Sequence, residues 1–247
     1  MAKILIVEDN QHMHRIYTDK FKREGYEVFD AFTGEESLVI AAREKPEVML
    51  LDLMMPGMDG FEVLQRMKTD PATASIPVLV ISNKSQPVDV ERALMLGARN
   101  FFHKGMTLLD DLAIETRRLC GIKKALLVST RLPVAAAIVE QLVSLGYIAS
   151  TNSIIAETVP RAEREQPDVI MLDGQFAAQN LQSLLHRLGI SPKAKSIPIV
   201  FLGPLPPIIT PPAHLRILGI LDLPVDPTKL EEVLKRCALP ETQPVAA

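Results

Sequence analysis

"EVMLLDLMMPGMDG", residues 47–60, joins a short apolar run, Val48–Leu51, to a carboxylate, Asp52, and then turns through Pro56, Gly57 and Gly60. Four apolar residues stopped by a polar turn suit a buried strand better than a helix. An ionisable side chain at the end of such a strand is out of place unless a site needs it. Working outward, similar Val/Ile/Leu runs at 4–7 and 77–81 alternate with segments of helical period. That alternation predicts repeated strand–helix units around a parallel sheet, in the order (βα)₅. Helix starts carry their own marks: Thr33 stands three residues before Glu36, and Thr107 three before Asp110, so each threonine is an expected N-cap. In an open parallel sheet, ligands bind beyond the carboxyl ends of the strands. The unusual polar residues of this chain fall there.

The sequence also repeats. "KILIV" at 3–7 matches "KALLV" at 124–128, "EKPEVMLLD" at 44–52 matches "EQPDVIMLD" at 165–173, and "SIPVLVIS" at 75–82 matches "SIPIVFLG" at 196–203. All three pairs share one offset of 121 residues, far longer than a solenoid period, so a whole domain is duplicated. The expected division is a first domain over 1–121, a second over 122–240 and a disordered tail over 241–247. Two domains also fit a chain of 247 residues.

Composition narrows the classes of function. A chain that is 47% hydrophobic and 23% charged, with a net charge of −3, suits a globular protein and lacks the basic excess of nucleic-acid binders, so no direct DNA binding is expected. Its two cysteines, Cys120 and Cys237, are too few for a secreted disulfide framework and read as small buried hydrophobes. The N-terminus has no signal peptide, and no run approaches membrane-spanning length. A cytoplasmic protein with no membrane contact is the expectation.

Glu8 and Asp9 follow the first strand and Asp52 follows the third, so the three acids converge at one sheet edge. Crowded carboxylates raise one another's pKa and call for a cation. Oxygen-only ligands favour Mg²⁺, which keeps waters and takes a phosphate oxygen. Ser82 at the end of the fourth strand and Lys104 after the fifth add a hydroxyl and an ammonium. A carboxylate nucleophile, a metal and donors for equatorial oxygens together suit phosphoryl transfer.

The acid pair Glu8-Asp9, "DLMMPGMDG" from Asp52, Ser82 and Lys104, in this order and spacing, resemble the receiver domain of bacterial two-component response regulators. The resemblance covers residues 1 to about 120, the size of one ordinary domain. It implies an α/β fold of two flavodoxin-like (βα)₅ doubly wound parallel-sheet domains in tandem. It further implies that Asp52 attacks a phosphohistidine and becomes an aspartyl phosphate. Glu8, Asp9, Asp52 and the backbone carbonyl of Met54 would hold Mg²⁺, and Ser82 and Lys104 would bind the phosphoryl group. Phe101 stands at the family's aromatic switch position, to move with Ser82. Four positions depart from the pattern: Gly105 replaces the proline that normally follows the lysine, Asn83 is larger than the usual residue, and, at two positions that tune hydrolysis in the family, Lys84 is cationic and Met54 is apolar and cannot orient an attacking water. A comparatively stable phosphoryl group is expected.

In the second copy Asp173 aligns with Asp52, but Ser129 and Thr130 replace the metal acids, Gly203 replaces Ser82 and, with a one-residue adjustment, Asp226 falls on Lys104. This half reads as a degenerate receiver in which Asp173 and Asp226 serve as helix caps. Five prolines in "GPLPPIITPPAH", 203–214, exclude most of a fourth helix, Pro160 shortens or kinks the second, and Leu205, Ile208 and Ile209 are expected to cover the domain's own sheet, with anchoring of a partner as the alternative.

The implied function is a response regulator without an output module, phosphorylated on Asp52 by a sensor histidine kinase or histidine phosphotransfer protein, that signals by phosphorylation-dependent binding to a downstream protein not identifiable from sequence. A homodimer is one open form. A phosphate sink, or the regulatory portion of a longer enzyme such as a diguanylate cyclase, are the alternatives; the ending in a Pro- and Ala-containing tail favours a complete protein.

Overall fold

The structure is a computed structural model that describes residues 1–84 and 86–238. The chain separates into two compact units, Met1–Gly121 and the part from Ile122 onward. In the first, strands β1 (Lys3–Val7), β2 (Glu27–Ala31), β3 (Val48–Leu51), β4 (Val78–Ser82) and β5 (Asn100–His103) alternate with helices α1 (Gln11–Arg23), α2 (Gly34–Glu44), α3 (Gly60–Thr69), α4 (Pro87–Met95) and α5 (Leu109–Leu119). All strands are parallel in the order β2-β1-β3-β4-β5. The order reverses between β1 and β3, which opens a crevice at the carboxyl ends of those two strands.

The burial pattern explains the apolar runs. Every residue of β3 and β4 is buried, as a central parallel strand covered on both faces requires. Leu5, Val7, Met49, Leu51, Val78 and Val80 form one core layer with Phe61, Leu64 and Met67 of α3. Asn10 caps α1 by accepting from the His12 and Met13 N–H groups. Thr33 caps α2, accepting from Glu36 N–H, while the Glu36 carboxylate returns to Phe32 N–H. Thr107 is not a cap. Its N–H closes a turn on the His103 carbonyl, α5 starts one residue later than the spacing implies, and Leu108 leads it without a side-chain hydrogen bond.

The second unit contains β6 (Lys123–Val128), β7 (Tyr147–Asn152), β8 (Val169–Asp173), β9 (Ile199–Leu202) and β10 (Ile217–Leu221), again all parallel, in the order β10-β9-β8-β6-β7. Counted from its own first strand this is the same topology. Its helices are α6 (Leu132–Ser144), α7 (Thr158–Glu165), α8 (Ala178–Ile190) and α9 (Pro227–Lys235). No helix lies between β9 and β10, so (βα)₅ holds for the first unit and loses one helix in the second; prolines deny that segment its backbone donors. Pro160 sits in the first turn of α7, where proline is tolerated, and α7 is shorter than α2. Leu205 and Ile209 pack on the core as expected, whereas Ile208 is 72% exposed.

Cys120 and Cys237 are half-buried free thiols whose pKa values burial pushes up to about 12 and about 11, so neither is a reactive nucleophile. Among the described residues, no helix is long and apolar enough to cross a membrane. The expected tail at 241–247 lies outside the described residues.

Candidate functional site

The crevice at the ends of β1 and β3 gathers the acids. The Asp52 N–H donates to the Val7 carbonyl (3.0 Å), which ties the residue after β3 to the end of β1. One ligand oxygen from each of Glu8, Asp9 and Asp52 lies within 4.8 Å of the others, a spacing one small cation can span. Glu8 and Asp52 are 2% and 4% exposed, and Asp9 is the least buried of the three. Met54 N–H donates to Asp52 Oδ1 (3.0 Å) and Asn10 N–H to Glu8 Oε1 (3.3 Å). The chain can approach so closely because of Gly60: a Cβ there would stand 2.7 Å from Leu53 Cα.

Lys104 joins them from the end of β5. Its Nζ lies 2.6 Å from Asp52 Oδ2 and 2.6 Å from Glu8 Oε2, and its N–H donates to the Ser82 carbonyl (3.1 Å). Burial alone would lower the ammonium pKa, but hydrogen bonds to Asp52 and Glu8 raise it, so the cation persists. For Glu8, burial outweighs the nearby ammonium and pushes the carboxyl up. Tyr17, buried beside them, is raised by burial and then by the charges of Glu8 and Asp52. The resulting open groove, about 750 Å³, is lined by Glu8, Asp9, Asp52, Met54, Asn83, Lys104 and Gly105 among others.

Ser82 and Phe101 are not among the groove's lining residues. Ser82 is fully buried, its Oγ accepting from Lys84 N–H (3.2 Å), and Phe101 packs half-buried against the core on the side of α3. Asn10 is a site neighbour that the sequence reading passed over, although an Asn just before a helical pattern is an N-cap signal. His14 is another: it contacts Glu8 from behind, and no local pattern marks it.

The equivalent place in the second unit has a different chemistry. Asp173, 2% exposed, accepts from Arg131 Nε (2.7 Å) at Oδ2 and from Arg131 Nη2 (2.6 Å) at Oδ1. Ser129 Oγ (2.7 Å) and Gln175 N–H (3.0 Å) complete the set. Burial pushes the carboxyl up, but these donors, Arg131 foremost, hold it below the usual carboxylate range. Asp173 therefore does not cap the next helix, which Ala177 leads without a side-chain hydrogen bond. Nor does Asp226 stand for Lys104. Pairing of Ser82 with His103 and of Leu202 with Leu221 puts Leu223 in the place of Lys104, its Cδ1 3.3 Å from where a Cβ on Gly203 would be. Asp226 is the N-cap of α9, accepting from Thr228 and Lys229 N–H, ahead of Pro227.

Residues 4–113 match the response regulator receiver domain family. Response regulator PleD of Caulobacter vibrioides is 40% identical over 116 residues, 47% of this chain and 25% of that protein, so the chain spans only a quarter of that relative's length. Sporulation initiation phosphotransferase F of Bacillus subtilis is 36% identical over 121 residues, 49% of this chain and 95% of that protein. A solved signal receiver domain of a histidine kinase from Syntrophus aciditrophicus is 30% identical, covering 49% of this chain and 91% of that one with a TM-score of 0.46.

Proposed function

Because the chain belongs to the response-regulator family through its receiver domain, we propose that Asp52 is its phosphoacceptor and that the protein relays a signal by binding another protein in a phosphorylation-dependent way. The observation that carries this reading is the convergence of Glu8, Asp9, Asp52 and Lys104 in one groove. An Asp52 carboxylate oxygen attacks phosphorus in line, the P–N bond of a phosphohistidine breaks, and the departing imidazole keeps the electron pair and takes a proton. Receiver domains take phosphoryl groups from histidine kinases or phosphotransfer proteins, so one of these is the donor.

The three carboxylates fit Mg²⁺ and would hold it, with the Met54 carbonyl as a further ligand; when bound, the ion would supply positive charge opposite the phosphoryl oxygens. Lys104 moves from bridging the two acids to pairing with the new phosphate. Ser82, at the end of the adjacent strand, turns its hydroxyl toward a phosphoryl oxygen and Phe101 follows by changing rotamer. Met54, 52% exposed and apolar, offers no group to activate water, which favours a long-lived aspartyl phosphate.

The second unit, 122–240, acts in this reading as a pseudo-receiver: the Arg131 guanidinium already occupies its carboxylate, and it lacks counterparts of Glu8, Asp9, Ser82 and Lys104. Its role is a binding scaffold, and the protein works in the cytoplasm. The test is acetyl phosphate labelling read by intact mass. Asp52→Asn abolishes the adduct and Asp173→Asn leaves it; label that survives Asp52→Asn and disappears with Asp173→Asn overturns the assignment.

A further inference from the structure

His14 lies one turn into α1, 5% exposed, and is the residue that grips Glu8 from behind the groove. Its Nδ1–H donates to the Glu8 carbonyl (3.2 Å) and its Nε2 meets Asp30 Oδ1 (2.8 Å). Asp30 is held in turn by the Thr18 hydroxyl (3.0 Å), and the Phe32 ring stacks on the imidazole with centroids 4.4 Å apart. The ring therefore cannot swing without losing two polar contacts and one aromatic face.

Consider what this does to Glu8. Its N–H donates to the Ala31 carbonyl (3.1 Å), and its carbonyl accepts from His14, so its backbone is anchored on both sides. The carboxylate that leaves this fixed backbone lies 2.6 Å from Lys104 and belongs to the acid cluster. A cation bound there needs oxygens held to a few tenths of an ångström, and residues behind the ligands set that precision. Plain core packing at position 14 would need an apolar side chain, not an imidazole with partners at both nitrogens.

We infer that His14, oriented by Asp30 and Thr18, is a positioning residue that fixes the Glu8 backbone and thereby sets the divalent-cation affinity of the acid groove. The inference rests on the metal-assisted reading of that groove. The effect of losing such support is expected to be about 10–100-fold in affinity.

The experiment is a Mg²⁺ titration of the full chain, followed by backbone amide shifts, beside hydrogen exchange of the Asn10 amide in metal-free protein. His14→Phe keeps volume and stacking but removes both hydrogen bonds. It is expected to weaken Mg²⁺ by about 10–100-fold and to speed exchange at Asn10, whose N–H bonds the Glu8 carboxylate. His14→Gln, which can still donate to the carbonyl, recovers part of both. If His14→Phe does not fold, Asp30→Ala, which removes the anchor of the ring and the acceptor of the Thr18 hydroxyl while leaving the imidazole in place, carries the same expectation in the same direction. A folded His14→Phe with wild-type Mg²⁺ affinity overturns the positioning role and leaves the groove's reading intact. Wild-type protein that binds no Mg²⁺ overturns the reading of the groove, and this inference with it.

Discussion

Removing Arg131 tests the pseudo-receiver reading through stability. In the second unit, Asp173 is 2% exposed and receives two short guanidinium bonds, one hydroxyl bond and one backbone bond. Arg131→Ala deletes the only charged donor of that set and leaves a buried carboxylate on two neutral ones. Breaking a buried ion pair by removing one partner costs about 3–5 kcal/mol. Because the Arg131 side chain is 27% exposed, water replaces part of the loss, and about 3 kcal/mol is expected. With a urea m-value of about 1–3 kcal/mol/M, the midpoint of the second unit falls by about 1–3 M.

Hydrogen exchange of β6 and β8 peptides in urea reads that unit, with β1 and β3 peptides as an internal control. The effect also depends on pH with a defined sign. In the wild type the native pKa of Asp173 is depressed, so its stabilising contribution is present above the unfolded value and is lost as pH falls through the native one. Without Arg131 burial dominates, Asp173 takes a proton at higher pH, and the gap between variant and wild type closes on acidification. A folded Arg131→Ala within about 1 kcal/mol of wild type at neutral pH, or a gap that widens in acid, refutes the reasoning.

In the first unit, Gly60→Ala is expected to cost about 1–3 kcal/mol and to slow acetyl phosphate labelling, since a Cβ there displaces the Leu53 backbone next to Asp52; an unchanged melting temperature and labelling rate refute it. Lys104→Gln leaves Glu8 and Asp52 without their shared ammonium, so the metal-free melting temperature falls and added Mg²⁺ restores more of it than in wild type. Calorimetric Mg²⁺ affinity is expected to fall as pH drops toward the raised Glu8 pKa, sooner than an exposed glutamate would dictate, because protons compete with the cation for that carboxylate. Affinity that stays flat from neutral pH into the ordinary carboxylate range counts against Glu8 as a ligand.

Sequence by itself determined the parts that depend on local pattern. Apolar runs closed by Glu8, Asp52 and Ser82 marked strand ends, because a buried parallel strand must be apolar throughout and its first polar residue is where the sheet stops. The duplication was legible for the same reason. Prolines at 203–214 excluded a helix without reference to any partner, since the missing donors belong to those residues themselves.

Tertiary structure decided what depends on register and on long-range pairing. The match of Lys104 with Asp226 failed because the loop before β10 is shorter than its counterpart and the β9–β10 register shifts between Ile217 and Gly219, which moves Leu223 into that place. The partner of Asp173 is Arg131, 42 residues earlier in the chain, and the partners of His14 include Asp30 on a neighbouring strand. A carboxylate at a strand end reads alike in both copies. Whether it faces an ammonium shared with a second acid or a guanidinium that bonds both its oxygens depends on which side chain the fold brings to its other side.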